Sequence, residues 1–389
     1  MASAQFTSEE WIKINQTLEQ GRTAYGLPER VYGSVLLGSF NIRKLGSTRS
    51  RSPATWEFLA EVCRSFDLLA VQEIMDDLSG LRRLMSLLGP DFDLIVSDVT
   101  GKFPGESGLG ERLAFIYRWS AVKRTEVATD ITYDRTKVLN TIAERYDEFD
   151  EVMDPYADRW KAYYVDKTTS SKPRVKLPFF LTFIRQPFCV SFEIPGHPGT
   201  TPYRFMTINA HLNFGKTLLD RKLEFDALMD WIRGRTAMDH RAYYRDFLLM
   251  GDLNLNYDNP EKDRPGLEAQ LKTFNAHSGD AVNVNFPFLD THPTRTDPFR
   301  TNARMTETFD QIGLFSHDDR LPTFDQNATM GTNPRGPDYG VFEFVRLFSD
   351  AVLGKAFDSL AGTEKSDFFA RFQHKVSDHM PLWIRLPLP

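Results

Sequence analysis

Residues 247–256 read FLLMGDLNLN, an apolar run that ends in a carboxylate and a carboxamide set one residue apart. The run predicts a short buried strand, whereas such strands normally end in turn residues that water can solvate. Side chains at alternate strand positions point the same way, so we expect Asp252 and Asn254 to share one face. The stretch therefore predicts a sheet whose strands carry polar groups to one edge.

Similar endings recur along the chain. Other apolar runs are flanked by carboxylate, amide or imidazole side chains, namely Asn41, Glu73, Glu111, His211, Asp310, Asp378 and His379. One such residue alone is usually a turn residue, a helix cap or a structural histidine. The repetition favours a functional site, because neighbouring strands deliver their ends to the same edge of a sheet, where functional residues collect.

The oxygen-bearing side chains of this set suit a hard divalent cation. Carboxylate and amide oxygens are the ligands that Mg²⁺ and Mn²⁺ favour, and the set contains Asn41, Glu73, Asp252, Asn254 and Asp378. A cysteine-rich zinc site is excluded, because the chain has only 2 cysteines. The predicted cofactor is therefore Mg²⁺ or Mn²⁺.

Two histidines of the set, His211 and His379, predict acid–base chemistry. An imidazole titrates near neutral pH, so it can accept or donate a proton there. Glu111 and Asp310 are candidate partners, one carboxylate per imidazole, because such partners fix the tautomer and stabilise the imidazolium ion. A hard cation, two such pairs and amide donors together predict in-line hydrolysis of a phosphate ester.

The composition is that of an ordinary globular protein. The chain has 389 residues, 41% hydrophobic and 26% charged, with a formal net charge of -6. A basic surface over the whole chain is therefore excluded, although local basic patches are not. Cys63 and Cys189 lie in apolar contexts and predict buried thiols in a reducing compartment. The N-terminus carries no signal-peptide pattern, and no window approaches the ~18 apolar residues of a membrane span. We therefore expect a cytoplasmic protein without membrane contact.

Short apolar runs outnumber helical patterns. The runs predict buried strands at residues 35–41, 68–71, 94–96, 113–117, 179–183, 188–192, 205–209, 247–250 and 380–386. The patterns predict helices at residues 8–20 with Ser8 as the cap, after Ser52-Pro53, at 78–88 and at 218–233. Many short buried strands favour an α/β (α+β) fold with two packed β-sheets flanked by helices, rather than one parallel sheet.

The chain is interpreted as one domain, residues 31–389, preceded by an N-terminal helical extension, residues 1–30. Two segments, near 130–178 and 318–372, break the rhythm of strands and helices, and we interpret them as insertions into that domain. Neither has the pattern of an independent core.

Each of these segments contains one distinctive stretch. Residues 144–158 carry seven carboxylates and one arginine, and are interpreted as a solvated helix face or as a surface that shields a basic groove or docks a partner. Residues 339–357 place Phe342, Val345, Phe348 and Val352 on one helical face, which predicts core packing.

Eight short motifs follow one another across residues 35–386: SFNIR (39–43), VQEI (71–74), ERLAFIYR (111–118), IRQPFCVSF (184–192), INAHL (208–212), MGDLN (250–254), FDQIGL (309–314) and SDHMPL (377–382). In this order they resemble the endonuclease/exonuclease/phosphatase superfamily, and its DNase I branch more than its abasic-site nucleases. ERLAFIYR and RQPFCVSF favour that branch, because its glutamate–histidine pair and phosphate-contacting arginine fall there.

The resemblance implies a four-layered α/β sandwich with the active site at one edge of its two sheets. It implies Glu73 as the principal metal ligand, with Asn41 and Asp378 nearby. It also implies that Asp252 and Asn254 contact the scissile phosphate or a second ion.

The resemblance further implies two acid–base pairs, His211 with Glu111 and His379 with Asp310, and Arg185 as a phosphate contact. One histidine deprotonates the attacking water and the other protonates the leaving 3′-oxygen. We favour His379 as the base, and the assignment stays open.

The predicted function is a Mg²⁺-dependent phosphodiesterase, specifically a DNA endonuclease of low sequence specificity. The loop RKLGSTRSR (43–51) leaves directly from the predicted phosphate site, and its Arg43 and Lys44 are candidate backbone contacts that read no sequence. The alternatives are a phosphomonoesterase or phospholipase of the same superfamily, of inositol phosphate or sphingomyelin type, and an inactive binding module. DNA against RNA, endonuclease against exonuclease action, metal count, oligomeric state, a regulatory protein partner and the biological trigger all stay open.

Overall fold

Two β-sheets organise the structure. The computed structural model describes residues 5–101, 110–167, 172–214, 218–237, 243–255, 265–266, 268–269, 274 and 282–389. In this part of the chain the first sheet contains β1 (Ser34–Leu45), β2 (Leu68–Met75), β3 (Phe92–Val96), β4 (Glu111–Arg118), β11 (Asp338–Val341) and β12 (Leu382–Pro387). Its order is β11-β12-β1-β2-β4-β3. The central pair, β1 and β2, is parallel.

The second sheet has a matching plan. Its described strands are β5 (Lys123–Asp130), β6 (Phe188–Ile194), β7 (Tyr203–His211), β8 (Phe247–Asp252), β9 (Asn283–Asn285) and β10 (Asp310–Ser316). They follow the order β5-β6-β7-β8-β10-β9, and the central pair β7 and β8 is parallel. Both sheets therefore place a parallel pair at the centre, where the predicted site residues end their strands.

The helices form the outer layers. The longer α-helices in the described residues are α1 (Ser8–Gly21), α2 (Pro53–Arg64), α3 (Ser79–Leu88), α4 (Arg135–Glu144), α5 (Tyr146–Val165), α6 (Leu218–Thr236), α7 (Phe344–Phe348) and α8 (Gly362–Lys375). An aromatic cluster joins several of them: the ring of Phe348 lies 5.5 Å from Trp11 of α1 and 5.1 Å from Phe58 of α2. The N-terminal helix thus packs into the same core as the first sheet.

Strand β8 illustrates the layering. Leu248 and Met250 belong to the core between the two sheets, whereas Phe247 and Leu249 belong to the core under α6. Successive side chains of a strand point to opposite faces, so β8 is buried on both sides and reads as a continuous apolar run. The predicted four-layered sandwich, two packed sheets between helical layers, is confirmed.

Most of the predicted strands and helices are present, and three of the predictions are corrected. Helix α1 is capped by Thr7 and Glu10 in a capping box, and not by Ser8. Residues 179–183 form no strand, because this segment turns repeatedly before β6. Residues 339–357 divide into β11, α7 and a following turn. Phe342, Val345 and Phe348 are buried as predicted, and Val352 is partly buried.

The acidic stretch lies mainly on α5, where Tyr156 is buried and the charged side chains are largely exposed. None of the described helices combines the length and apolar character needed to cross a bilayer.

Candidate active site

The predicted site residues meet in one cleft at the edge of the two sheets. Its volume is about 270 Å³, and it is lined by Arg43, Lys44, Glu73, Glu111, Arg185, His211, Phe214, Asp252, Asn254, Phe309, Asp378 and His379. The two remaining predicted residues, Asn41 and Asp310, lie directly beneath this lining and are fully buried. Side chains spread over more than three hundred positions are therefore neighbours in space.

Strand register explains much of this convergence. His211 of β7 pairs with Asp252 of β8, and Asp252 pairs in turn with Asp310 of β10. Three adjacent strands therefore present a polar residue at the same level.

Asp252 lies between the two histidines. Its Oδ2 atom is 3.7 Å from Nε2 of His211 and 3.5 Å from Nε2 of His379. The same oxygen accepts a hydrogen bond of 3.0 Å from the side-chain amide of Asn41. Asp252 thus marks the centre of the site, with an imidazole on either side.

Glu111 and Arg185 hold His211. Nδ1 of His211 lies 2.8 Å from Oε2 of Glu111, and Nε of Arg185 lies 2.8 Å from the same oxygen. Burial alone would raise the pKa of Glu111, but the hydrogen bond from His211 and the charge of Arg185 outweigh it and lower the pKa to about 2. Glu111 is therefore ionised and can stabilise an imidazolium at His211.

His379 has its own carboxylate. Its Nδ1 atom lies 2.8 Å from Oδ2 of Asp310. Burial acts to lower the pKa of His379, but the charges of Asp310 and Asp252 raise it well above its usual value. Burial raises the pKa of Asp310, and nearby Asp252 adds to this effect, while His379 opposes it. A proton is therefore held between these two side chains.

Glu73 is fixed in a strained conformation. Its φ of +59° lies in the left-handed region, which residues other than glycine rarely adopt. Its Oε1 accepts 3.2 Å from the amide of Asn41, and its Oε2 accepts 2.9 Å from the backbone N–H of Lys44. Such strain persists where surrounding contacts hold it, commonly at functional sites.

Asn254 reaches the cleft by a different route from the one expected. Strand β8 ends at Asp252, and Asn254 has φ +53°, so the two do not share a strand face. Instead the chain turns: the Asn254 backbone N–H donates 3.0 Å to Oδ1 of Asp252, and its side-chain amide donates 2.8 Å to the carbonyl of Leu212. Asparagine tolerates this left-handed turn better than most residues.

The oxygen ligands fit a divalent cation. The side-chain oxygen Oδ1 of Asn41 and Oδ1 of Asp378 are both buried without a hydrogen-bond partner, and an unpaired buried oxygen is costly unless it coordinates something. Glu73 and Asp252 adjoin Asn41. These four hard ligands match the chemistry of Mg²⁺ or Mn²⁺.

A second group, Asp252, Asp310 and His379, places ligand atoms within 4.8 Å of one another. In this group Asp310 already shares a hydrogen bond with Nδ1 of His379. That contact occupies Nδ1 of His379 and Oδ2 of Asp310, so we interpret these two residues as a carboxylate–imidazole pair.

The basic stretch 43–51, predicted as a loop, begins within β1 and contains two kinds of residue. Lys44 is exposed, and Arg43 pairs with Asp378 at 2.5 Å on the cleft wall. Arg51 is buried and donates to the carbonyls of Arg43 and Val376. Burial lowers the pKa of Arg51 to about 10, against the opposing charges of Glu73 and Asp378. Arg51 therefore supports the loop and is not a surface contact.

Most of the Arg185 guanidinium is used in contacts within the protein. Beyond its bidentate contact with Glu111, its Nη1 donates to the carbonyls of His211 and Leu212, at 3.3 and 3.4 Å. Its side chain nevertheless lines the cleft. Arg185 thus orients the Glu111–His211 pair and leaves little of its guanidinium for a ligand.

Three supporting residues were not identified from the sequence. Ser377 accepts from the Arg43 backbone and donates to the Asn41 carbonyl, so it joins the end of β1 to the segment before β12. Thr301 accepts from the Asp310 backbone N–H. Glu224 of α6 accepts 2.5 Å from the N–H of Ile184 and 2.7 Å from that of Asn213.

These supporting residues differ in what the sequence revealed. Ser377 directly precedes Asp378-His379 and could have been suspected, whereas Glu224 looks like any helix carboxylate.

A layered sandwich with this edge cleft defines a class of phosphoester hydrolases. The chain belongs to the endonuclease/exonuclease/phosphatase family, whose model matches residues 38–379. Enzymes of this family act on phosphoester bonds and depend on divalent metal ions.

Two curated relatives are named as deoxyribonucleases. "Deoxyribonuclease" from Thioalkalivibrio sp. (strain K90mix) is 26% identical over 236 residues, which cover 59% of this chain and 48% of that protein. "Deoxyribonuclease-1-like 2" from Homo sapiens is 32% identical over 90 residues, covering 23% of this chain and 30% of that protein. The chain therefore spans half or less of the length of these relatives.

Among solved structures, the human Nocturnin catalytic domain with bound sulfate is similar, with a TM-score of 0.45 and 12% identity over 92% of this chain and 96% of that one.

Proposed function

We propose that this protein is a Mg²⁺-dependent phosphodiesterase that cleaves the DNA backbone as an endonuclease of low sequence specificity. One observation carries the proposal: two carboxylate–imidazole pairs flank Asp252, with their Nε2 atoms 3.7 and 3.5 Å from its Oδ2. In-line displacement at phosphorus needs one group to take a proton from water and another to give one to the leaving oxygen. Two imidazoles on either side of one centre meet that need.

The proton transfers are assigned to the two histidines. His379 takes the proton of the attacking water at Nε2, and Asp310 at Nδ1 stabilises the resulting imidazolium. His211 gives a proton from Nε2 to the leaving 3′-oxygen, and Glu111 holds its tautomer. The raised pKa of His379 favours its protonated form, which donates a proton. The competing assignment therefore makes His379 the acid and His211 the base.

The cation would be held by Glu73, Asn41, Asp378 and Asp252. When bound, a divalent ion neutralises the non-bridging oxygens and the charge that develops on them. Arg43, Lys44 and Asn254 line the same cleft and would contact the phosphate. Arg185 would act on the phosphate mainly through the Glu111–His211 pair.

DNA is proposed as the substrate for two reasons. Two relatives carry the name deoxyribonuclease, and the exposed cation of Lys44 adjoins the cleft. Backbone contacts of this kind position a nucleic acid without reading its bases. Binding should weaken steeply as salt rises.

The proposal includes a cytoplasmic location. Cys63 and Cys189 are free, buried thiols, and burial raises the pKa of each to about 12. Thiols of this kind suit a reducing compartment.

The test is a substrate panel: supercoiled plasmid, linear duplex, single strands and RNA, each with Mg²⁺, Mn²⁺ or EDTA, at low and moderate salt. The expected result is metal-dependent nicked circles, suppressed by salt. Shortening of linear ends alone would indicate an exonuclease, and RNA cleavage alone a ribonuclease. Free phosphate from small esters, with DNA intact, would establish the phosphatase alternative and reject the proposal. The His197→Ala variant, which removes an imidazole from an exposed loop outside the cleft, is the control and should cleave as the wild type does.

A further inference from the structure

An apolar pocket of about 500 Å³ lies beside the Glu111–His211 pair. Three of its wall residues are immediate neighbours of that machinery. Thr100 exchanges two backbone hydrogen bonds of 2.9 Å with Glu111. Gln186 follows the ion-paired arginine, and Asn213 lies two residues after His211. The pocket therefore adjoins the catalytic cleft.

Aromatic and aliphatic side chains form the body of the pocket. Phe179, Phe180 and Phe183 line it, together with Leu177 and Leu223. The rings of Phe180 and Phe183 pack edge to face, 5.1 Å apart. The three phenylalanines belong to the irregular segment before β6, where the sequence had predicted a strand. Its volume falls in the usual range for small-molecule sites, ~300–1,000 Å³.

The wall nearest the cleft is polar. Gln186 and Asn213 both line the pocket. Within the described part of the chain, neither side-chain amide has a hydrogen-bond partner. The contact of Asn213 with Glu224 is made by its backbone N–H. Each amide offers one acceptor and two donors to a ligand. The pocket thus joins apolar faces to unpaired amides.

We infer that this pocket binds one unpaired nucleobase of the substrate strand, at a nucleotide adjoining the scissile phosphate. The inference rests on the proposed function, because it needs a nucleic acid phosphate in the cleft. A base has apolar faces that stack on aromatic rings and a polar edge that pairs with amides. An acyl chain would use the apolar walls and leave both amides unpaired.

The occupant must be unpaired, because a base inside a duplex cannot enter a pocket unless it is first extruded. Extrusion costs least at mismatched, damaged or single-stranded positions. The enzyme therefore prefers single strands, loops and mismatches over perfect duplex, with the same backbone chemistry at each. Stacking of one base contributes about 5- to 150-fold to binding.

The test uses the wild-type protein and short single-stranded DNA with one cleavable linkage, the others being phosphorothioates. One base at a time is replaced by an abasic residue. The expected result is a 5- to 150-fold fall in kcat/KM when the base is missing at one position beside the cleavable linkage, and no change elsewhere. Equal rates for all abasic positions would overturn the inference and leave the endonuclease proposal standing. Absence of cleavage of the intact single strand by an enzyme that still nicks plasmid would overturn the inference and leave the endonuclease proposal standing, whereas absence of cleavage of both DNAs would overturn both.

A pair of variants checks that the pocket is responsible. Val138→Trp on α4 puts an indole into the pocket that Val138 lines, whereas Leu139→Trp changes the next, exposed residue. Val138→Trp should lose activity on the intact strand and lose nothing further on the abasic one. Leu139→Trp should behave as wild type. A Val138→Trp protein that still distinguishes intact from abasic strands as wild type does would assign the base effect elsewhere and reject the pocket.

Discussion

Asp310 and His379 form a buried carboxylate–imidazole pair, with Oδ2 and Nδ1 only 2.8 Å apart. The contact occupies Nδ1 and leaves Nε2 facing Asp252 at 3.5 Å. His211 repeats the arrangement with Glu111, also through Nδ1. Both imidazoles therefore point their free nitrogens at the same place, and their tautomers are set by partners that lie outside it.

Removing either imidazole should reduce turnover strongly. His211→Ala and His379→Ala should each lower kcat by about 10²–10⁴-fold, because a positioned proton-transfer group contributes that much. Plasmid nicking rates and a thermal unfolding curve measure the effect and verify folding. His197→Ala is the matched control. If both single variants kept full activity, the acid–base assignment would be wrong.

The two roles can be separated with a substrate whose leaving 3′-oxygen is replaced by sulfur. A thiolate leaves without protonation, so a variant that lacks only the proton donor should regain most of its activity on this substrate. We expect recovery for His211→Ala and none for His379→Ala. Recovery for His379→Ala alone would reverse the assignment, in keeping with the raised pKa of His379.

Glu73→Ala should remove the response to metal together with turnover. The carboxylate adjoins Asn41 at 3.2 Å, and a hard cation needs such charged oxygen ligands. The prediction is residual activity that no longer changes when Mg²⁺ or Mn²⁺ is titrated. Glu57→Ala, on the exposed face of α2, should titrate as wild type. A Glu73→Ala enzyme with a normal metal response would exclude this residue as a ligand.

Asn254 allows its backbone and side-chain contributions to be separated. Glycine adopts φ +53° freely, whereas alanine pays about 1–2 kcal/mol for it. Asn254→Ala should therefore unfold more easily than Asn254→Gly by about that amount in a denaturant titration. Both variants lack the amide that donates to Leu212, so both should lose activity alike. Equal stabilities would mean that the turn is not strained.

Apolar continuity made much of the fold predictable from the sequence. Strands buried on both faces, such as β8, read as unbroken apolar runs, and the predicted helix after Ser52 is present with that residue as its cap. Strand β5 was missed, because its sequence KRTEVATD is largely polar and its strand lies at the edge of the second sheet. Residues 179–183 were misassigned, because their aromatic side chains line a pocket instead of pairing in a sheet.

The sequence predicted which residues lie at the candidate site better than it predicted how they are arranged. Residues at strand ends were identified because neighbouring strands of a sheet deliver their ends to the same edge. The turn at Asn254 was not, because a left-handed residue after a strand leaves no periodic signal. Glu224 was also missed: its role depends on two backbone N–H groups that are distant in sequence, at Ile184 and Asn213. Such contacts arise only from tertiary structure.

Glu111 should make stability depend on pH in the acid range. Its pKa falls from 4.5 to about 2 on folding, so the unfolded chain binds the proton more readily. The stabilisation is fully present above about pH 4.5 and is lost as pH falls toward 2, an effect of ~3 kcal/mol. Glu111→Gln lacks it. The gap in unfolding free energy between wild type and Glu111→Gln should shrink by about 2 kcal/mol from pH 4.5 to 3. A constant gap would show that the pKa is not lowered.

Glu224 is expected to position the Glu111–His211 pair through the two segments that its carboxylate holds. Its carboxylate is fully buried, and desolvation raises its pKa despite the two backbone hydrogen bonds. Glu224→Gln replaces one acceptor oxygen by a donor, so the N–H of Ile184 or Asn213 loses its partner, at a cost of about 1–3 kcal/mol in stability. These two segments carry Arg185 and His211, so kcat should fall with little change in KM.

A double-mutant cycle distinguishes positioning from simple destabilisation. If Glu224 acts through His211, then Glu224→Gln should reduce kcat in the wild type and in His379→Ala, but add nothing in His211→Ala. Glu268→Gln, a change in another described carboxylate, provides the control for a general charge effect. Equal losses of kcat in all three backgrounds would mean that Glu224 acts independently of His211, and would reject the positioning role.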